Sequence, residues 1–301
     1  SNTDTKSWRA LTRDWFKSTF PEAAITEVSA PISGTGISYG LYRAESHYFA
    51  KNGGVAPDIN FIEFAINDVY DGISTMEKDE SDNYTGKDIP TDKQYIYVES
   101  LVRKIYESNP YAEIVFVITG DEITFAAEEG SEDPIFGTAY SEIAGYYGIP
   151  VVYAGHALAN DSSLSWESAL SDSVHPNDKG HAHYASTIIN YLANQLPTGA
   201  TIGEPEYITA TDKGYLDEEY FYCLEEGIST TLISDATMAV LTTDGFENLT
   251  DSALNGFTLT TDRGLNAMIS ENADESFTFE FNASEIAIWT WSYGNNTSHP
   301  N

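Results

Sequence analysis

Apolar side chains follow a helical period near the start of the chain. Within residues 6–19 the large apolar residues are Trp8, Leu11, Trp15 and Phe16. Because these positions fall on one side of a 3.6-residue period, they predict an amphipathic helix.

Other apolar runs have the length and continuity of strands. Residues 113–119 are almost entirely apolar, which is typical of a parallel strand covered on both faces. Shorter runs predict strands at residues 24–29, 59–65 and 149–153. Further helical patterns occupy residues 93–108, 134–147 and 177–196. The alternation of strand and helix predicts an α/β domain with a mostly parallel sheet over residues 1–196.

The pattern changes after Pro197. Short alternating runs, such as residues 276–281 and 286–291, are separated by Gly, Asn and Asp. They predict a second, all-β domain of the sandwich or jelly-roll type over residues 198–301.

Composition narrows the classes of partner and cofactor. The 301 residues carry 47 acidic and 14 basic side chains, a formal net charge of −33 that would repel nucleic acid and anionic membranes. No apolar run is long enough to span a bilayer. Cys223 is the only cysteine, which excludes an internal disulfide and a Cys-based zinc site. His181 and His183, two apart on a predicted helix, do not share a face, so we expect neither a metal nor a cofactor.

The strongest chemical signal lies in residues 171–177, Ser-Asp-Ser-Val-His-Pro-Asn. His175 is a candidate general base, because imidazole changes charge near neutral pH. Asp172, three residues earlier, is placed to orient its ring. The alternative is that Asp172 only caps a turn in an exposed loop.

Two further polar positions follow predicted strands. A glycine-bearing loop, residues 30–36, comes after the first strand, and Asn67 comes after the second. Open α/β sheets keep their sites at the carboxyl ends of strands, so these positions are expected near His175.

Together these segments resemble the SGNH (GDSL-type) hydrolase family of esterases. The similar blocks are residues 32–34 with 40–43, residues 61–68, and residues 172–177, in the family's order. The resemblance covers residues 1 to about 196 and implies a three-layer α/β/α, flavodoxin-like domain.

The resemblance also implies roles for individual residues. The Gly34 N–H and the Asn67 side-chain amide would stabilise the oxyanion, with Gly36 as a competing donor, while His175 and Asp172 would activate a serine. Asp68 is expected to be a structural hydrogen-bond acceptor. For Trp166 two roles stay open, lining the substrate cleft or packing in the core.

One block of the family pattern is not found. The strand followed by Gly-Asp-Ser that supplies the nucleophile does not occur, and Ser1 comes too soon before the first helix to match it. We therefore expect the nucleophile to lie upstream of Ser1, and the chain as printed to show no appreciable turnover of p-nitrophenyl acetate.

The leading functional hypothesis is a serine esterase that removes small acyl groups, above all acetyl, from carbohydrate. Within the same enzyme class, a lipase-like or thioesterase-like substrate is also possible. The alternative from another class is a catalytically silent carbohydrate-binding or scaffold protein, which the missing nucleophile favours. Its expected partners are a small-molecule ester or an acetylated carbohydrate, and neither nucleic acid nor a membrane.

Overall fold

The computed structural model describes residues 5–195, residues 258–262 and 265–269, and Ser276. The helices are α1 (Trp8–Thr19), α2 (Ile37–Tyr42), α3 (Ala65–Tyr70), α4 (Asp92–Ser108), α5 (Glu122–Glu128), α6 (Thr138–Tyr147), α7 (Ala154–Ala159), α8 (Trp166–Ala169) and α9 (Asp178–Gln195). The strands are β1 (Ile59–Ile62), β2 (Ser74–Lys78), β3 (Tyr84–Pro90), β4 (Glu113–Ile118), β5 (Val151–Tyr153), β6 (Thr258–Asp262) and β7 (Leu265–Ile269). Short π-type and 3₁₀ turns follow α2, at Ala44–Tyr48 and Phe49–Asn52.

The core of residues 5–195 is a parallel sheet in the order β1-β4-β5. Its register pairs Ile59 with Glu113 and Phe116 with Val151. All residues of β4 after Glu113 are buried, since successive side chains of a strand point to opposite faces and both faces are covered. The predicted α/β domain with a parallel sheet is thus confirmed.

Helices cover each face of this sheet. Val115 and Val117 pack in a cluster that includes side chains of α1, α5, α7 and α9. On the other face, Phe116 meets Tyr140 of α6 edge to face, with ring centroids 5.2 Å apart. The helix α4 joins that layer, because Tyr147 of α6 donates its hydroxyl hydrogen bond to Glu99 at 2.6 Å.

The observed elements differ from the predicted ones at three places. The apolar run at residues 24–29 is not a strand, because a strand exists only by pairing and this segment has no ladder partner within residues 5–195. The strand predicted over residues 59–65 ends at Ile62, and α3 begins at Ala65. Residues 74–90, for which no element was predicted, contain an antiparallel hairpin, β2–β3.

The chain divides into two compact units, Ser1–Leu232 and Ile233–Asn301. The structure describes only part of the second unit. Its described portion is an antiparallel hairpin, β6–β7, in which Thr258 pairs with Ile269. Apart from Ser276, the strands predicted at residues 276–281 and 286–291 lie outside the described residues, as does the boundary predicted near residue 197. No helix in the described part of the chain is both long and apolar enough to cross a membrane.

Candidate active site

The Asp172–His175 pair forms as a hydrogen-bonded dyad on the loop before α9. His175 Nδ1 lies 2.9 Å from Asp172 Oδ2 and 3.1 Å from Oδ1. The His175 side chain is 69% exposed, and its Nε2 has no partner among residues 5–195. The geometry therefore presents one imidazole nitrogen to solvent while the other is held by a carboxylate.

Asp172 also closes the turn. Its Oδ1 accepts the backbone N–H groups of Val174 and His175 at 2.9 and 2.7 Å. These two bonds, followed by the bond to the His175 ring, lower the pKa of Asp172 to about 2. The carboxylate is thus ionised at any pH at which a histidine can act as a base.

The dyad loop is held by its own backbone and by Asn177. The N–H and Oγ of Ser171 both donate to the His175 carbonyl, at 2.8 and 2.9 Å. The Asn177 amide donates to the carbonyls of Ser168 and Leu170, and its Oδ1 accepts the Lys179 N–H in the first turn of α9. An exposed loop with these bonds keeps one conformation, which a general base requires.

Asn67 lies in the first turn of α3, just past the carboxyl end of β1. Its side chain is half-buried, and its amide makes no hydrogen bond to any other side chain or backbone group within residues 5–195. A half-buried amide without a protein partner is available to a ligand.

Two carboxylates of α3 hold the glycine-bearing loop next to Asn67. Asp71 accepts the Gly36 N–H at 2.5 Å, and Asp68 accepts the Ile37 N–H at 2.7 Å. Asp71 lies one turn after Asn67, so both project from the same side of α3. The loop thus lies against the face that presents Asn67.

The structure separates the two glycines that competed for the oxyanion role. The Gly36 N–H is occupied by Asp71, so it is not available to substrate. Gly34 is exposed, with φ +69°, and its N–H has no acceptor within residues 5–195. Because Gly34 is two residues from Gly36, its Cα lies within about 7 Å of that anchored position.

Asp68 is buried and fully engaged. Besides Ile37 it accepts hydrogen bonds from the Gln94 amide at 2.9 Å and the Tyr140 hydroxyl at 2.7 Å. Burial raises the pKa of Asp68 to about 7, against these bonds, which lower it. The arrangement is that of a structural acceptor that joins α3 to α4 and α6.

A second set of bonds joins α3 to the dyad loop. The Tyr70 hydroxyl donates to Asp121 at 2.9 Å, just past the end of β4. The next residue, Glu122, donates its N–H to the Ser173 carbonyl at 2.8 Å. The Asn67 helix and the His175 loop are therefore connected through the start of α5.

A half-buried acid lies at the same edge of the sheet. Thr119, which follows β4, donates its hydroxyl to Glu63, which follows β1, at 2.8 Å. Burial raises the pKa of Glu63.

The start of the described chain also lies beside the dyad loop. Lys6 pairs with Asp178, three residues after His175, and the Trp8 N–H donates to His181 Nδ1 at 3.4 Å. Ser1 lies outside the described residues.

Trp166 is placed on the core side of α8. Its ring lies 5.9 Å from that of Phe125, a fully buried residue, and it packs against the cluster between the sheet and α9. Its contacts are those of core packing, and a contact with substrate stays a prediction.

Within the described residues, no group of three or more His, Cys, Asp or Glu side chains is arranged to hold a metal ion. His183 instead pairs with Asp161, Nε2 to Oδ2 at 3.1 Å.

Sequence reasoning missed the connecting residues Tyr70, Asp71, Asp121 and Asn177. A signal for Asp121 was present, because Asp-x-x-Thr directly after a strand matches a capping box, and Asp121 and Thr124 form one. The spacing of Asn67, Tyr70 and Asp71 shows that their side chains share a side only once residues 65–70 are known to be helical.

Comparisons with known proteins bear on this geometry. A sequence profile described as the GDSL-like Lipase/Acylhydrolase family matches residues 1–183, more than half of the chain. No curated protein matches the chain.

Solved structures also resemble it. A two-domain esterase active on acetylated mannans, co-crystallised with mannopentaose, shares 27% identity at a TM-score of 0.48, over 63% of this chain and 44% of its own. An acetylxylan esterase from Geobacillus stearothermophilus shares 22% identity at a TM-score of 0.45, over 61% of this chain and 80% of its own. The matched region thus spans less than half of the two-domain esterase.

The profile match extends over the sheet, the glycine-bearing loop, Asn67 and the Asp172–His175 loop, and on that match the chain belongs to the GDSL-like lipase/acylhydrolase family.

Proposed function

We propose that the chain is a serine esterase that hydrolyses small acyl esters, acetyl esters first, with a carbohydrate as the alcohol. The observation that carries the proposal is the Asp172–His175 dyad, with Nδ1 2.9 Å from a carboxylate oxygen and Nε2 open to solvent. Family membership supports ester hydrolysis as the reaction class. The exposure of the dyad suits an alcohol as bulky as a sugar.

In the proposed mechanism, His175 Nε2 takes the proton of the serine hydroxyl as the serine oxygen attacks the ester carbonyl. The C–O bond to the alcohol then breaks, and the imidazolium returns its proton to the leaving alcohol. Water, deprotonated by the same nitrogen, releases the acyl group as a carboxylic acid. Asp172 holds the ring and stabilises the imidazolium in both steps.

The oxyanion of each tetrahedral intermediate is assigned to the Gly34 N–H and the Asn67 amide. Both are free of protein acceptors or donors within residues 5–195, and Asp71 and Asp68 hold the glycine loop against α3. Loss of one such donor typically lowers kcat by about a hundred- to a thousand-fold.

The nucleophile has two candidates. The sequence favours a serine upstream of Ser1. Ser1 itself is five residues from Lys6, which pairs with Asp178 beside the dyad, and five residues span at most about 18 Å. Ser171 is a poor candidate, because its hydroxyl is bound to the His175 carbonyl.

A fluorophosphonate probe, followed by peptide mapping, tests the proposal. Labelling of the 301-residue chain on Ser1, abolished by Ser1→Ala and by His175→Ala, would identify Ser1 as the nucleophile. No labelling of this chain, with labelling of a chain extended by its natural upstream sequence, would identify an upstream serine.

The control is His156→Ala, since His156 pairs with Glu128 away from the dyad and should not affect labelling. If the extended chain were labelled equally with and without His175, the general-base assignment would be wrong. Absence of labelling and of ester turnover in both chains would favour the silent carbohydrate-binding protein. Acetylated mannan and acetyl xylan are the first polymers to test.

A further inference from the structure

Tyr70 combines an exposed ring with a bound hydroxyl. Its side chain is 61% exposed, more than any other large apolar side chain in the described part of the chain. Its hydroxyl donates to Asp121 Oδ2 at 2.9 Å. Burial of the hydroxyl end, together with Asp121, raises the pKa of Tyr70 to about 12.

The acceptor of that bond is itself rigid. Asp121 is 3% exposed, and its Oδ1 accepts the N–H groups of Ile123 and Thr124, which begin α5. A surface tyrosine normally samples several rotamers, whereas this one is held at its tip. An aromatic side chain ordered before binding loses less conformational entropy when a ligand covers it.

Tyr70 is linked to both halves of the candidate active site. Tyr70 is one turn after Asn67, so the two side chains share a side of α3. On its other side, the bond to Asp121 leads through the Glu122 N–H to the Ser173 carbonyl, two residues before His175. A ligand whose ester reaches Asn67 and His175 is therefore brought next to the ring.

The charges around the ring select among ligands. Asp121 accepts the hydrogen bond of Tyr70, Asp71 is the next residue in the chain, and Glu122 is near enough to contribute, after burial and Asp121, to the raised pKa of Tyr70. Carboxylates repel an anionic ligand and accept hydrogen bonds from hydroxyl groups. The face of an aromatic ring carries partial negative charge, which attracts the C–H hydrogens of a neutral sugar ring.

We propose that Tyr70 is the residue that contacts the alcohol part of the substrate, by stacking on the ring of a neutral saccharide. This inference rests on the proposed esterase function, and it adds a specificity-determining residue and excludes acidic saccharides as preferred ligands.

The test compares Tyr70→Ala and Tyr70→Phe with Tyr111→Ala in the chain, printed or extended upstream, that the fluorophosphonate probe labels. Tyr111 is a matched control, since it is 49% exposed but lies just before β4, at the opposite edge of the sheet. Binding of a neutral mannan or xylan oligosaccharide is measured by isothermal titration calorimetry, and KM is measured for its acetylated form and for ethyl acetate.

Tyr70→Ala should weaken oligosaccharide binding and raise KM for the acetylated form by about 3- to 10-fold, the range for an aromatic contact. KM for ethyl acetate, which offers no ring to stack, should stay within about two-fold. Tyr70→Phe keeps the ring and should retain most of the binding, and Tyr111→Ala should equal the unchanged protein.

Equal binding by Tyr70→Ala and the unchanged protein would overturn the inference. So would an equal loss in Tyr70→Phe and Tyr70→Ala, because the effect would then come from the hydroxyl bond to Asp121 rather than from stacking. If an oligosaccharide containing glucuronate bound more tightly than the neutral oligosaccharide, the assignment of a neutral ligand would be wrong. Failure to hydrolyse ethyl acetate contradicts the proposed function alone, since the binding measurements do not need turnover.

Discussion

Asp172 uses its two carboxylate oxygens for different contacts. Oδ1 accepts the backbone N–H groups of Val174 and His175, while Oδ2 is the nearer oxygen to His175 Nδ1. The turn cap and the partner of the base, which the sequence left as alternatives, are the same residue. The two contacts can therefore be separated by a substitution that changes only one oxygen.

Asp172→Asn tests this separation. An asparagine that keeps Oδ1 as the acceptor of the two N–H groups preserves the turn, but its amide nitrogen faces Nδ1 as a donor and favours the wrong tautomer. We expect the free energy of unfolding to stay nearly unchanged, and kcat on an acetyl ester to fall by about 10³-fold or more, on the order of the loss known for triad aspartates. Asp172→Ala, measured beside it by urea unfolding, should lose both activity and stability. Activity retained in Asp172→Asn would contradict the assigned role.

His47 is a buried imidazole next to a buried cation. Its Nδ1 lies 2.9 Å from Arg43 Nη1, and because a guanidinium only donates, Nδ1 accepts and the ring is neutral. Burial, with Lys51 and Arg43 nearby, lowers the pKa of His47 to about 4.

This shift predicts a loss of stability in acid. When the pH falls through about 6.5, the unfolded chain binds a proton that folded His47 does not take up until about pH 4, so stability is lost across that window. Allowing for solvent screening, we expect His47 to contribute a loss of about 1–2 kcal/mol between pH 7 and pH 4.5, measured by urea unfolding as the difference from a variant without this imidazole. Asp68 stabilises the folded protein as the pH falls, since its pKa is raised to about 7. The contribution of His47 is therefore isolated by comparison with His47→Gln, which keeps Asp68 and whose free energy of unfolding should fall less over this window. An equal fall in both proteins would contradict the assignment to His47.

The short helix α3 connects the parts of the candidate site. Through Asp71 and Asp68 it holds the glycine-bearing loop, and through Tyr70 it reaches the start of α5 and the dyad loop. Its six residues are few for an isolated helix, so these tertiary contacts stabilise it. Displacing the glycine-bearing loop from α3 should therefore affect both the stability of the fold and the candidate site.

Gly36→Ala is the sharpest test of that connection. A Cβ at Gly36 would lie 2.5 Å from Asp68 Oδ1 and 2.9 Å from Asp71 Oδ2, so the loop and α3 must separate. We expect a destabilisation of about 1–3 kcal/mol by urea unfolding and a lower kcat, since Gly34 moves with the loop. The control is Gly145→Ala, at an exposed position of α6 with nothing within 4 Å, which should stabilise by about 0.5–1 kcal/mol. Unchanged stability and kcat in Gly36→Ala would show that the loop is not held in this way.

The net charge of −33 belongs to the molecule as a whole. Carboxylates outnumber basic groups more than threefold, so repulsion between like charges opposes the compact state. Salt screens exposed charges, because the Debye length falls to about 3 Å at 1 M.

We therefore expect the thermal midpoint to rise when sodium chloride is increased from about 20 mM to 1 M at pH 8. The rise should be smaller at pH 5, closer to the pI of about 4.1, where fewer carboxylates are ionised. Differential scanning calorimetry at the two pH values measures both effects. A midpoint independent of salt at pH 8 would show that self-repulsion does not limit stability.

The long regular elements were predictable because their patterns are local. Helix α4 was expected over residues 93–108 and runs Asp92–Ser108, and strand β4 was expected over residues 113–119 and runs Glu113–Ile118. The short helix α3 was not predictable in this way, since its stability comes from partners distant in sequence. The prediction of a strand at residues 24–29 was wrong for the same reason, because a strand forms only where a neighbouring strand pairs with it, and that neighbour is distant in sequence.

The sequence by itself determined the α/β class, the order of the family's blocks and the dyad, because Asp172 and His175 are three residues apart and meet within one turn. Only the tertiary structure decided which glycine keeps a free N–H, since Gly36 is bound by Asp71 from 35 residues away. It also decided that Trp166 packs on Phe125 and that Tyr70 is held beside the site by Asp121, 51 residues away. Local spacing specifies what one turn can bring together, whereas contacts between distant residues depend on how the sheet and its helices pack.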